Sequence, residues 1–227
     1  MKIISPIVCF IFFQLVCGQI VQAQDWPELN RYHEANEKLK QDSANKVTAV
    51  YIGDSITDYW IGASPDFFAD NHYADRGING QTSPQVLLRF RADVISLKPN
   101  VVIILCGTND IAGNTGPSTL EMIQDNIASM AELAKVNKIK VILCSVLPAN
   151  KFWWSEKIQP ADSIITLNQW IKLYARHQKI HYVDYYSSMV DEKKGLKKEY
   201  SDDGVHPNKA GYTIMEKLAQ KAVRKLL

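Results

Sequence analysis

Two short stretches of this chain tolerate very few environments. Val101–Leu105 reads VVIIL, and residues 140–147 read KVILCSVL. Both are apolar at successive rather than alternate positions and rich in β-branched side chains. A strand of that kind carries apolar groups on both faces, so it must be covered on both. Each run is far shorter than the roughly 20 residues of a membrane-crossing helix. Three further β-like runs are residues 47–52 (VTAVYI), 72–78 (HYADRGI, the weakest) and 180–185 (IHYVDY). Helical patterns lie between them, over residues 83–97, 118–136 and 161–177. Another opens near Pro207, and residues 26–45 predict an N-terminal helix. Ser83 reads as an N-cap, with Pro84 at the first helical position. Alternating strands and helices predict one parallel sheet with helices on both faces and right-handed crossovers. The segment 186–206 is expected to be a long loop, and such loops inside compact domains are often functional.

The unusual polar residues cluster at predicted strand ends. Gly53, Asp54 and Ser55 follow the first strand, Asn79 and Gly80 the second, and Gly107, Thr108, Asn109 and Asp110 the third. Open α/β sheets place their sites at that carboxyl edge. Asp203 and His206 precede the last helix, and the long loop can carry them to the same edge. Their chemistry is complementary. A serine hydroxyl needs an adjacent base to become a nucleophile, histidine suits that task near neutral pH, and a carboxylate orients the imidazole. Acyl transfer also needs hydrogen-bond donors where negative charge develops. The backbone N–H groups of Ser55 and Gly80 and the side-chain amide of Asn109 are the candidates. Glycine at 80 is expected to let the backbone approach closely.

These residues stand in four ordered blocks: GDSIT (53–57), GINGQTS (77–83), GTND (107–110) and DGVHP (203–207). In this the chain resembles the SGNH hydrolases, or GDSL-type esterases, over nearly everything from Val47 to the last helix. Ile56 replaces the family's usual Leu, an apolar exchange that leaves the chemistry alone. The resemblance implies a three-layer flavodoxin-like α/β fold, with a five-stranded parallel sheet in the order 2-1-3-4-5. It also implies cofactor-free and metal-free ester hydrolysis through an acyl-enzyme. Ser55, Asp203 and His206 would be catalytic, and Ser55, Gly80 and Asn109 would form an oxyanion hole.

Plainer roles compete at several positions. Ser55 suits a helix cap, Asp203 a helix entry with Pro207 in the first turn, and Asn109 with Asp110 a turn. Asp54 is a candidate substrate contact, although a structural role, accepting hydrogen bonds from the backbone of the elbow, is the stronger expectation. Trp153 and Trp154 follow the fourth strand after Phe152. They suit a substrate wall, a lid on the core or a subunit contact, and Tyr59 with Trp60 carry the same ambiguity.

Residues 1–23 combine Lys2, an apolar run and Val21-Gln22-Ala23, the layout of a cleavable secretory signal. Residues 24–227 are then expected to be a single exported domain, periplasmic or extracellular, with no stable membrane insertion once the signal is cleaved. The formal charge of +2 falls to +1 without Lys2, which gives no electrostatic case for nucleic acid. Cys106 and Cys144 read as core residues on adjacent strands, with pairing the lesser option. No G-x-x-x-x-G-K-[ST] and no His/Cys spacing of metal ligands occurs. The leading expectation is a carbohydrate O-acetylesterase acting on an ester of a glycan or small molecule. The alternatives are a lipolytic esterase, lysophospholipase or thioesterase for longer acyl chains, and a non-catalytic glycan-binding protein.

Overall fold

The computed structural model describes residues 25–42 and 44–227, so the expected signal at residues 1–23 lies outside the described residues. Five parallel strands form one sheet in the order β2-β1-β3-β4-β5. They are β1 (Ala49–Gly53), β2 (Tyr73–Gly77), β3 (Val101–Leu105), β4 (Lys140–Cys144) and β5 (His181–Val183). This is the expected flavodoxin-like order. The helices are α1 (His33–Gln41), α2 (Ser55–Ala63), α3 (Pro65–Ala69), α4 (Ser83–Asp93), α5 (Thr108–Ile111), α6 (Leu120–Val136), α7 (Ala161–His177), α8 (Tyr185–Met189) and α9 (Lys209–Leu226).

Strand periodicity divides the core in two. Val50, Ile52, Val102, Ile104 and Leu143 face α4, α6 and α7, where Val86, Phe90, Ile127 and Ile171 receive them. Ala49, Tyr51, Val101, Ile103 and Ile142 face α2 and α9, against Trp60, Tyr212, Met215 and Val223. Alternate residues serving opposite layers explain why β1, β3 and most of β4 are apolar at nearly every position. Cys106 belongs to the first layer and Cys144 to the second, so the sheet separates the two buried, free thiols.

Some local expectations change. Thr82, not Ser83, caps α4. Thr82 and Gln85 form a reciprocal capping box, which puts Ser83 and Pro84 inside the first turn. The cap of α9 is Asn208, whose side chain accepts the Gly211 N–H, so Pro207 lies outside that helix. The segment 186–206 is not one structureless loop. It begins within α8 and is folded back by bridges between Val190 and Leu196 and between Ser201 and Pro207. The N-terminal helix is short because turns occupy residues 26–32. Among the described residues, no helix is long and apolar enough to cross a membrane.

The strand order reverses direction at β1. The chain moves out to β2 and returns past β1 to β3, which opens a crevice at the carboxyl ends of β1 and β3.

Candidate active site

Ser55 opens α2 without capping it. Asp54 is the cap, its extended backbone allowing Oδ1 to accept the Ile56 N–H at 3.0 Å. The Ser55 hydroxyl is therefore free for another partner, and its N–H, in the first turn, has no intrahelical acceptor. Gly53 is required just before this elbow. A Cβ there would lie 2.1 Å from the Leu105 carbonyl oxygen of the neighbouring strand.

Ser55 Oγ lies 2.9 Å from His206 Nε2, and His206 Nδ1 lies 2.7 Å from Asp203 Oδ2. An ionised carboxylate only accepts, so the proton of a neutral imidazole sits on Nδ1 and leaves Nε2 to accept from the serine hydroxyl. The other carboxylate oxygen, Asp203 Oδ1, accepts the N–H groups of Val205 and His206, each at 2.8 Å. Partial burial pushes the Asp203 carboxyl up. Hydrogen bonds from the His206 side chain and from these two N–H groups outweigh it, and the net position is below the usual carboxylate range. Ser201, which sequence reasoning passed over, holds this turn. Its hydroxyl donates to the His206 carbonyl at 2.7 Å and accepts the Gly204 N–H at 2.9 Å.

Gly80 and Asn109 face the same cavity as Ser55 and His206. Gly80 has φ of +76°, but a Cβ there would meet nothing within 4 Å. A left-handed backbone of this kind favours glycine, and the open space above it lies on the cavity side. Asn109 is buried. Its Nδ2 donates to the Gln81 carbonyl at 3.0 Å, which leaves one amide hydrogen uncommitted. The loop carrying Gly80 is pinned from below by Arg89, which is fully buried. The Arg89 guanidinium donates to Gln81 Oε1 at 2.6 Å, Gly53 O at 2.8 Å, Arg76 O at 2.8 Å and Asp93 Oδ2 at 3.0 Å. One side chain thus ties the end of β1, the end of β2 and the Gly80 loop together. Asp110 contributes by accepting from the backbone and hydroxyl of Ser83.

The cavity measures about 230 Å³ and is walled by Tyr59, Trp153 and Trp154. Trp153 is 61% exposed, while Phe152 is buried and stacks on Trp154. Tyr59 lies beside the His206 ring at 5.2 Å between centroids, whereas Trp60 is core, stacked on Tyr212. The structure splits Tyr59 from Trp60 but keeps Trp153 and Trp154 together at the cavity. Asp54 does not line the cavity. Its carboxyl is buried under the elbow, and burial, followed by the nearby charge of Asp110, pushes it up to about 7. In that placement the carboxyl serves the elbow backbone, accepting the Ile56 N–H, and does not reach the cavity wall. A larger concavity, about 360 Å³, lies between Lys135, Lys138, Lys179 and Leu226, with no hydroxyl–imidazole pair. Among the described residues, no group of three or more His, Cys, Asp or Glu side chains converges as a metal site.

Comparison with known proteins places this geometry in context. Residues 51–214 match the model of the GDSL-like Lipase/Acylhydrolase family. A crystal structure of a GDSL-like lipase from Bacteroides thetaiotaomicron is 50% identical, with a TM-score of 0.85 over 88% of this chain and 99% of that one. Esterase TesA of Pseudomonas aeruginosa is 34% identical over 125 residues, 49% of this chain and 60% of its own length. An acetylxylan esterase of Xylanibacter ruminicola is 28% identical over 152 residues, 58% of this chain and 30% of its own length. The chain thus matches less than two thirds of either curated relative.

Proposed function

The chain belongs to the GDSL-like lipase/acylhydrolase family, and from that premise we propose that it is a serine ester hydrolase specialised for acetyl groups on carbohydrates. The observation that carries the hydrolase reading is the hydrogen-bonded series Ser55 Oγ, His206 Nε2, His206 Nδ1 and Asp203 Oδ2, at 2.9 and 2.7 Å. In the proposed reaction, Ser55 attacks the ester carbonyl as His206 takes its proton. Asp203 stabilises the imidazolium that results. Negative charge on the carbonyl oxygen is met by the N–H groups of Ser55 and Gly80 and by the free amide hydrogen of Asn109. When the ester C–O bond breaks, His206 returns the proton to the departing alcohol. Water, deprotonated by His206, then attacks the acyl-serine, releasing the acid and restoring the Ser55 hydroxyl.

Cavity size supports a small acyl group. About 230 Å³ falls below the roughly 300–1,000 Å³ of sites that enclose drug-sized ligands, which favours a short acyl group beside Ser55. Trp153, largely exposed, and Trp154 line the cavity and supply apolar aromatic surface for the alcohol portion, which suits the apolar face of a sugar. Similarity to the acetylxylan esterase of Xylanibacter ruminicola adds support for this substrate class. Acetate release from acetylated xylan, pectin or sialic acid tests the proposal, together with a chain-length series of p-nitrophenyl esters. Activity is expected to fall steeply beyond butyrate. Cleavage of long-chain esters with no acetate release from any glycan overturns the substrate assignment. We also propose that residues 1–23 are removed on export; an exported chain beginning elsewhere than Gln24 contradicts that processing site.

A further inference from the structure

We propose that Asn114 is a positioning residue that holds the amide of Asn109 toward the reacting carbonyl and joins it rigidly to the tryptophan wall. The inference rests on the reading of Ser55 as an ester-cleaving nucleophile. Asn114 sits on the loop after α5, between Gly113 and Gly116, both with positive φ. Its backbone N–H reaches the Asn109 carbonyl at 3.0 Å, so its side chain is folded back over the residue it serves. Three side-chain contacts then run in series. Trp154 Nε1 donates to Asn114 Oδ1 at 2.9 Å, Asn114 Nδ2 donates to Asn109 Oδ1 at 2.8 Å, and Asn109 Nδ2 donates to the Gln81 carbonyl at 3.0 Å.

Donor chemistry fixes every orientation in this series. An indole N–H only donates, so the Asn114 atom facing Trp154 is its oxygen, and its amide nitrogen faces Asn109. Asn109 must then turn its oxygen to Asn114 and its nitrogen to the cavity side. The Gln81 carbonyl, which only accepts, demands the same orientation. Without the Asn114 amide, Asn109 Oδ1 loses its partner and the ring of constraints around the oxyanion donor opens on one side. The loop bearing Asn114 is clamped at two further points, Thr115 Oγ1 to Thr82 Oγ1 at 3.0 Å and Ser155 Oγ to the Ala112 carbonyl at 3.2 Å. The Gly80 loop, the Asn114 loop and the Trp154 loop therefore form one frame, and the cavity wall cannot shift without disturbing the oxyanion donor.

The test is kinetic, with p-nitrophenyl acetate, on Asn114→Ala and on Trp154→Phe, which keeps an aromatic ring at the wall and removes the indole N–H with its five-membered ring. Each is made alone and on an Asn109→Ala background. Asn114→Ala is expected to lower kcat about 10- to 100-fold, the scale of a slightly misplaced reacting group, with KM within about twofold. Trp154→Phe is expected to lower kcat a few-fold, again without a matching change in KM. Both losses should shrink to less than about twofold when Asn109 is already Ala, because coupled residues do not add. An unchanged kcat in Asn114→Ala, or the full loss persisting on the Asn109→Ala background, overturns the proposal while leaving the hydrolase reading intact. A folded wild-type protein that turns over no ester and whose Ser55 resists a fluorophosphonate overturns the hydrolase reading, and this inference with it.

Discussion

A serine hydroxyl in water holds its proton too firmly to attack an ester. At position 55 two local facts support the proposed activation: the cap of α2 is supplied by Asp54, and His206 Nε2 lies 2.9 Å from the uncommitted hydroxyl. If Asn109 is the oxyanion donor proposed above, Asn109→Ala should lower kcat by about 10²–10³; a steady-state assay giving wild-type kcat would remove Asn109 from that role. Asp203→Asn should reduce kcat by up to about 10⁴, by favouring the wrong imidazole tautomer. Here the carboxylate also accepts the Val205 and His206 N–H groups, so circular dichroism alongside kinetics separates loss of tautomer from loss of the turn. Ser55, Asn109, Asp203 and His206 stand out in the sequence as polar residues at a strand end or before a helix, and Gly80 by its place beside Asn79 in the second of the four ordered blocks. Asn114, Ser201 and Arg89 do not. Their roles are hydrogen bonds to groups distant in sequence or to backbone, and nothing in their type or spacing announces such partners.

At the scale of elements, runs of apolar residues located β1, β3 and β4, whereas β2 (YADRG) carries little apolar signal of its own, and capping chemistry decided where the helices begin. Ser83 followed by Pro84 looked like a cap, yet the reciprocal bonds of Thr82 and Gln85 move the start of α4 back by one residue. The segment 186–206 looked like a loop because its stabilising contacts are isolated bridges and side-chain turns, which carry no periodicity. Another such device joins α7 to the end of β4. Asn168 Oδ1 accepts the Val146 N–H at 2.7 Å, and its Nδ2 donates to the Val146 carbonyl at 2.9 Å, all of it buried. Asn168→Ala strands two buried backbone groups and should cost about 2–4 kcal/mol in urea unfolding. Because Asn168 does not line the cavity, kcat should stay within about twofold. A stability loss below about 1 kcal/mol would show that the strand end does not depend on this amide.

Across the whole molecule, the strand order creates the site. The reversal at β1 opens the crevice that receives Ser55 from one strand end and Asn109 from another. The same packing buries acids away from the site. Asp75 on β2 accepts the Gly77 N–H at 2.8 Å, and burial pushes its carboxyl from 3.8 up to about 7. The folded chain therefore holds a proton there that the unfolded chain has released once pH exceeds about 4. This contribution to stability is fully present below about pH 4 and is lost as pH rises through about 7. Asp75→Asn keeps the acceptor oxygen and abolishes the titration. Its stability relative to wild type should rise between pH 4.5 and 7.5, by on the order of a few kcal/mol, as read from urea midpoints. A constant difference across that range would contradict the assigned protonation.

The central claim, that a hydroxyl, an imidazole and a carboxylate gathered from opposite ends of the sequence work as one proton-transfer series, has a direct chemical readout. A fluorophosphonate applied to the folded protein should modify one residue per chain, Ser55, with labelling lost in Ser55→Ala and strongly slowed in His206→Ala. Failure to label Ser55, or equal labelling without His206, would contradict it.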